Sequence, residues 1–457
     1  MNVKLNITAP LDPGFIPGVV FNREYVKAAK ATGQAVPVVF ALEREGGLVS
    51  RFETVVKPVA DADTLLYVDR IVKFLLWAWG GWKVHFAGPK DVGAYLKKTY
   101  SKRGARAFDC EMMEMAYGHK FQIALTTAAK VPKTKEMQMA AGGHLKGNRI
   151  GFDLGASDYK VSAVIDGTPV FTEEIPWDPK SQANPEYHYH HIQSGLHRAA
   201  AYLPKVDAIG GSSAGIIVNN EIRVASILRA VAKKDFPKAA VVFKRVAKEW
   251  GVPLSVMNDG DVTALAAALS LGVKGVLGIA MGSSQAAGFM DKKGRILGWL
   301  NELAFVPVDY NPKAAADEWS KDTGVGALYF SQQAVNKLLP AAGIKLPASM
   351  GLPEQLKEVQ ALMAKDDPRA VKIYETIGVY LGYAIAQYTE FYDYQHMLIL
   401  GRVTTGKGGD IVLAKAKEVL ASEFPEVAKQ VKLHVPDEKS RRVGQAVAAA
   451  SLPDKKK

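Results

Sequence analysis

Cysteine is almost absent: the 457-residue chain has one, Cys110. A lone thiol excludes an internal disulfide and any zinc cluster built on cysteines. It reads as a small buried apolar side chain and fits a reducing compartment, so a cytoplasmic protein is expected. Long apolar runs are absent too. The most apolar early stretch, Ile71–Trp82, contains Lys73 and falls far short of the ~20 residues that cross a bilayer. The N-terminus, MNVKLNITAPLDPG, lacks a basic-then-apolar leader. No membrane partner is expected. Charge is in excess, at +12, but it is spread along the chain. The one dense run, Lys455–Lys457, reads as a solvated tail. Without a basic stripe, nucleic acid is not expected. No short-period repeat is present.

What is present describes a globular protein with an ample core: 48% hydrophobic and 23% charged residues. The first ~145 residues read as a separate α/β unit. It has a hairpin (Val36–Leu42 and Leu48–Val56 about Glu45-Gly46-Gly47), a helix over Asp61–Trp79, a strand over Trp82–Ala87 and a helix over Asp91–Tyr100. The basic, Gly-containing stretch Val131–Asn148 is the candidate linker. Beyond it strands and helices alternate, which argues α/β architecture.

Four downstream segments carry chemistry. In Arg149–Asp166 a strand ends on Asp153, and the turn Gly155, Ala156, Ser157 lets backbone N–H groups approach an anion. Asp153 beside it can hold a divalent cation through water, so the pair suits a nucleoside triphosphate with Mg²⁺. In Ala208–Gly215 a strand ends in small residues, with Gly211, Ser212 and Ser213 as candidates for the substrate. In Pro253–Ala266 the strand Leu254–Met257 delivers Asn258 and Asp259 to its C-terminal end, where ligands of open α/β sheets bind. Asp259 is placed to take a proton from a substrate hydroxyl, and Asn258 to hydrogen-bond the substrate. Asp259 or Asp261 would also serve as a helix cap; both roles fit if Asp261 caps and Asp259 works. In Gly278–Asp291, Gly282-Ser283-Ser284 offers N–H groups and hydroxyls to phosphate. The first and fourth segments repeat one pattern, strand–turn–strand, which predicts two similar lobes facing across a cleft.

In order and spacing these segments resemble the ROK group of the sugar-kinase/Hsp70/actin superfamily. DLGAS resembles its first phosphate loop, D-x-G-G-T, and GSSQAAG its second. Asn258-Asp259 resembles the pair bearing the catalytic base. Asn301–Phe305 (NELAF) resembles the sugar motif G-E-x-G-H, which places Glu302 on the sugar. Leu398–Thr405 (LILGRVTT) resembles the strand and turn that cup adenosine, which assigns Gly401 and Thr404 to the nucleotide. The resemblance covers about Asn148–Leu452. It implies two actin-like (ribonuclease H-like) lobes flanking a cleft, with an additional N-terminal α/β domain: residues 1–147, then lobes over 148–258 and 259–435, then a C-terminal helix and tail over 436–457 packing back on the first lobe. It implies an ATP- and Mg²⁺-dependent kinase for a hexose or N-acetylhexosamine, a possible homodimer, Asp259 as base and Asp153 holding Mg²⁺. A non-catalytic sugar or nucleotide sensor is the alternative, and a phosphatase or ATPase of the superfamily a third. The sequence departs from the pattern in three ways. Phe305 replaces the sugar-motif histidine. Ala156, Ser157 and Ser284 alter the phosphate turns. The zinc cysteines expected near Asp322–Tyr329 are missing, so structural zinc is not expected. A helix at Arg23–Thr32 is followed by a strand, which argues against the helix-turn-helix of ROK repressors.

Two clusters are set aside. His188, His190, His191 and His197 lack zinc-ligand spacing. The tyrosines of Tyr374–Tyr394 read as core with polar tips outward. Trp177 and Trp299 are core residues or sugar-stacking rings, with a preference for Trp299 at the site.

Overall fold

The protein is represented by a computed structural model that describes residues 3–137, 142–155, 157–347, 349–435 and 438–454, with the backbone alone for 438–443. Ala156 and the run Lys455–Lys457 lie outside the described residues.

Strands β1 (Val36–Glu43), β2 (Val49–Val56), β3 (Lys83–Ala87) and β4 (Gln122–Leu125) form an N-terminal sheet in the order β2-β1-β3-β4. The hairpin closes at Glu45–Gly47, where the expected turn residues lie, with Gly46 and Gly47 at positive φ. Next come β5 (Asn148–Leu154), β6 (Asp158–Ile165), β7 (Thr168–Pro176), β8 (Ala208–Ser213), the ribbon β9 (Ile216–Val218) and β10 (Glu221–Val224), and β11 (Leu254–Asn258). They build the first lobe's sheet, β11-β8-β5-β6-β7, with the ribbon apart. β5–β6–β7 are antiparallel, and β8 and β11 add parallel to β5. The second lobe repeats that plan with β12 (Val276–Met281), β13 (Gln285–Met290), β14 (His396–Leu400) and β15 (Lys432–His434) in the order β13-β12-β14-β15. Again a hairpin is followed by parallel strands. The fold is α/β and actin-like, with the repeated hairpins where the sequence pattern placed them.

The hydrophobic interior does not follow chain order. The first lobe has a core of its own, centred on Ile150, Phe152, Ile209 and Phe243. The N-terminal segment instead shares one core with the second lobe. Phe74 stacks on Phe391 at 3.9 Å, and Trp77 meets Phe305 at 4.2 Å. Backbone bonds tie the same seam: Asn301 and Glu302 donate their N–H groups to the carbonyls of Ala78 and Trp77, both at 2.9 Å. The C-terminal helix Glu438–Ala450 lies on β5 and β8.

The long helix Pro368–Thr389 carries most of the tyrosine run. Tyr374, Tyr380, Tyr383, Tyr388, Tyr392 and Tyr394 are all fully buried. Their tips do not point out to water as expected. Tyr380 donates to Asp12 (2.5 Å), Tyr383 to the Ile7 carbonyl (2.9 Å) and Tyr394 to the Ile385 carbonyl (2.8 Å). The reason is cover: Ile7 and Asp12 reach Tyr383 and Tyr380 from the N-terminal segment, so these hydroxyls are paired inside, while the buried Tyr374 hydroxyl has no partner among the described residues.

Candidate active site

Asn258 ends β11, and the helix Asp259–Leu271 begins at the next residue. Asn258 is the cap: its Oδ1 accepts the Gly260 N–H at 2.8 Å, worth about 1 kcal/mol. Its Nδ2 donates to the Gly215 carbonyl at 2.8 Å, tying β11 to the loop after β8. The expectation that Asp261 caps is corrected. Asp261 points into the second lobe, where it accepts from Asn301 Nδ2 (2.8 Å) and the Phe289 N–H (3.3 Å). Asn258 lines the cleft, but two of its hydrogen bonds are internal, so its first task is to position the turn. The helix start sits this close to β13 because Gly260 faces Gly288. A Cβ on either would lie 1.9–2.0 Å from a carbonyl oxygen of the other segment.

Two cavities open between the lobes. The larger, about 870 Å³, is lined by Asn258, Asp259, Asn301, Glu302 and Ser284 among others. The smaller, about 500 Å³, is lined by Asp259, Gly282, Ser283, Gly401 and Gln445 among others. Asp259 therefore stands on the wall that both share. Its Oδ1 accepts the Gly260 N–H (3.0 Å), which leaves Oδ2 free of any described donor. Gly282 closes the β12–β13 hairpin through its N–H to the Ser284 carbonyl (3.0 Å), while the N–H groups of Ser283 and Ser284 donate to no described residue. Thr404 does not reach the cavity; its Oγ1 donates to the Gly401 carbonyl (3.1 Å) and holds that turn.

The first-lobe residues divide. Asp153 is half-buried and sits beside Ser212 in the register of β5 and β8. Gly155 donates its N–H to the Asp158 carbonyl (3.0 Å), and its own carbonyl accepts from Trp177 Nε1 (2.9 Å). Ser157 is exposed. Gly211, Ser212 and Ser213 are buried within β8, Gly211 against the Phe152 ring, so none is on the cavity wall. Ala214, Gly215 and Ile216, just beyond the strand end, take that place. Ser213, the last of the three expected residues, lies one position short of that wall.

The site is rich in acid. Burial pushes Asp153 up to about 6, with the charge of Asp259 adding to the effect and Ser212 opposing it. Burial pushes Asp261 and Glu302 each up to about 7, and the Asp259 charge adds to both. Asp259 itself is raised by burial. None of the four has an ion pair among the described residues. Asp259 and Glu302 line the larger cavity, whereas Asp153 and Asp261 stand off both cavity walls, and among the described residues no group of three or more Asp, Glu, His or Cys side chains is arranged to hold a metal ion.

Other candidates fall elsewhere. Trp299 stacks on Phe289 at 5.3 Å and stays off the cavity, and Trp177 braces the Gly155 turn. His188 is buried, with Nε2 2.7 Å from the Ile227 carbonyl. Sequence reasoning missed Asn301, which links Asp261 to Tyr392, and Gln445, whose Nε2 reaches Ser212 Oγ and the Asp259 carbonyl, both at 3.3 Å. It also missed Trp77 and Met112, which bring the N-terminal segment to the larger cavity. Trp77 lay inside a helix with ordinary core spacing, and no local signal marked Met112.

No protein-family model matches the sequence, and no curated protein matches it. Solved structures do match. A ROK family transcriptional regulator, a homologue of the E. coli MLC protein, is 20% identical, with a TM-score of 0.55 over 68% of this chain and 79% of its own. The chain has the ROK fold. A ROK hexokinase from Thermus thermophilus is 17% identical, with a TM-score of 0.52 over 66% of this chain and 97% of its own. A ROK family glucokinase from Streptomyces griseus, solved with glucose and AMPPNP, is 17% identical, with a TM-score of 0.51 over 67% of this chain and 99% of its own.

Proposed function

We propose that this ROK-fold protein transfers the γ-phosphoryl group of ATP to a sugar hydroxyl. One observation carries the reading: the Asp259 carboxylate lines both cavities. On one side lie Gly282 and Ser283 of the hairpin turn and the Gly401 turn, suited to phosphates and adenosine, with Ser284 at the boundary on the larger cavity. On the other lie Glu302 and Asn258, suited to hydroxyls. The kinases among the structural neighbours support the same division, as does the glucose and AMPPNP in one of them.

In this reading the sugar hydroxyl gives its proton to Asp259 Oδ2 while its oxygen attacks the γ-phosphorus, the bond from that phosphorus to the β,γ-bridging oxygen breaks, and ADP leaves. Burial strengthens Asp259 as a base near neutral pH. Glu302 fixes the sugar through another hydroxyl. The free N–H groups of Ser283 and Ser284 take phosphate oxygens, and Asp153, through water, would hold Mg²⁺, which shields phosphate charge when bound. Closure of the lobes excludes water, so that phosphoryl transfer outcompetes hydrolysis.

Asp259→Asn is expected to lower kcat by about 10²-fold or more with an unchanged circular-dichroism spectrum. Near-wild-type turnover in that variant would end the proposal. A sensor reading draws on one observation: the Gly155 and Gly282 N–H groups are consumed inside their hairpins. Calorimetry with MgATP and a panel of hexoses and N-acetylhexosamines, beside an ADP-release assay, separates the two. Binding without turnover favours the sensor, and ATP loss without sugar favours an ATPase.

A further inference from the structure

The larger cavity combines polar groups, among them Asp259, Glu302, Asn336 and Lys337, with a set of large apolar side chains. The apolar part of the lining comes from three stretches of chain: Met112 of the helix Ala107–Tyr117, Ile216 and Val224 of the ribbon β9–β10, and Phe305 and Trp319 of the second lobe. Trp77, fully buried, backs Phe305. Trp319 is 61% exposed, with its ring 5.8 Å from Phe305. A large aromatic left open beside an apolar surface inside a cleft points to a ligand.

This wall is held in place. Asp317 Oδ2 accepts the N–H groups of Trp319 (3.1 Å) and Ser320 (2.6 Å). Three residues on, Asp322 is clamped by Arg70 (2.8 Å), Arg106 (2.8 Å) and Lys73 (3.3 Å) of the N-terminal segment. A bare hexose can lay one C–H face on an aromatic ring, but its rim of hydroxyls finds no partner on the other apolar side chains, where desolvating them is costly. Phe305 makes the mismatch worse, since no polar atom of its side chain can meet a hydroxyl.

Resting on the kinase reading above, we propose that the acceptor is a glycoside or similar sugar conjugate. Its hydroxyl meets Asp259, and an apolar substituent of aromatic size lies against Met112, Ile216, Val224, Phe305 and Trp319. The N-terminal segment thereby selects the substrate.

The test is calorimetry on the full chain without nucleotide. The probes are phenyl α- and β-glycosides of glucose, mannose, N-acetylglucosamine and N-acetylmannosamine, each beside its free sugar. At least one phenyl glycoside is expected to bind about 10-fold tighter than its parent, the scale for burying an aromatic ring. In Trp319→Ala, which changes an exposed side chain, the ratio is expected to shrink to about 3-fold or less. Free sugars binding as tightly as their glycosides, a ratio untouched by Trp319→Ala, or no binding by any probe would each overturn the proposal. ADP release with the preferred glycoside is scored separately. Tight binding without ADP release leaves this subsite standing and removes the phosphotransferase reading alone.

Discussion

At the cleft, Asp259 and Glu302 line the larger cavity, and Asp153 and Asp261 stand off both cavity walls but within reach of the Asp259 charge; none of the four has an ion pair among the described residues. At the seam between the N-terminal segment and the second lobe, Asp69, Asp109 and Asp322 are sunk against Arg70, Lys73 and Arg106, with contacts of 2.5–3.3 Å. The cleft acids and Asp322 end up shifted in opposite directions. Burial drives the cleft acids up toward neutrality. At Asp322 burial also pulls upward, but Lys73, Arg70 and Arg106 outweigh it and hold the carboxyl far below the usual carboxylate range. The difference separates structural from functional acids. A paired buried charge fixes geometry, whereas an unpaired one is left to be completed by a proton, a cation or a ligand.

The strongest way to break this comparison is to remove one acid from each region. Asp322→Ala leaves three buried cations with one acid too few, and a loss of about 3–5 kcal/mol in urea unfolding is expected. Asp261→Asn keeps an acceptor for the Phe289 N–H and Asn301, so a change within about 1 kcal/mol is expected. Similar losses in both variants would mean that the cleft acids are structural too.

That division was only half legible in the sequence. The cleft was found because its residues sit at strand ends beside small-residue turns, and β-strand periodicity with Gly and Asp punctuation is a local signal. Two similar lobes followed from the repeated hairpins, and their actin-like character from the family resemblance. The seam was invisible because it is non-local: Arg70, Lys73 and Arg106 meet Asp322 only once some 200 residues have folded between them. Lys73 looked like a defect in an apolar run, yet it is fully buried because Asp109 and Asp322 wait for it. For the same reason the N-terminal segment read as a separate unit. Nothing local in Phe74 or Trp77 says that their partners are Phe391 and Phe305. The cap was misassigned by one step of chemistry: asparagine and aspartate cap equally well, and only geometry chooses Asn258 over Asp261.

Acidity offers a gentler probe. Asp261 and Glu302, near 7 in the folded protein, take up protons that the unfolded chain leaves off until about 4. The folded state then binds more protons across that window, so stability falls as pH rises through it. Unfolding free energy is expected to increase by about 1–2 kcal/mol as pH drops from 8 to 5, and Glu302→Gln to flatten the slope. Asp322 has the reverse sign: its depressed carboxyl contributes stability above the ordinary carboxylate value, and this is lost as pH falls below about 4. A stability maximum near pH 5 is the combined result. A curve flat from 8 to 5 would show that the cleft acids are already satisfied.

The smallest expected effect addresses whether a cation completes the cleft. A divalent ion that binds only the folded state adds RT ln(1 + [L]/Kd), about 1 kcal/mol at roughly five times Kd. Mg²⁺ with a non-hydrolysable ATP analogue should therefore raise the thermal midpoint of the wild type, and matched ionic strength from NaCl should not. Asp153→Asn keeps the shape of β5 and its place beside Ser212 while removing the charge, so the Mg²⁺-dependent part of the gain should vanish and the nucleotide-only part should survive. Asp322→Asn, at the seam, should lose stability yet retain the full Mg²⁺ increment, because its charge is answered by fixed arginines and lysine. If the increment disappeared in the seam variant and persisted without Asp153, the two sets of acids would have exchanged roles, and the site would have to be redrawn around the N-terminal segment.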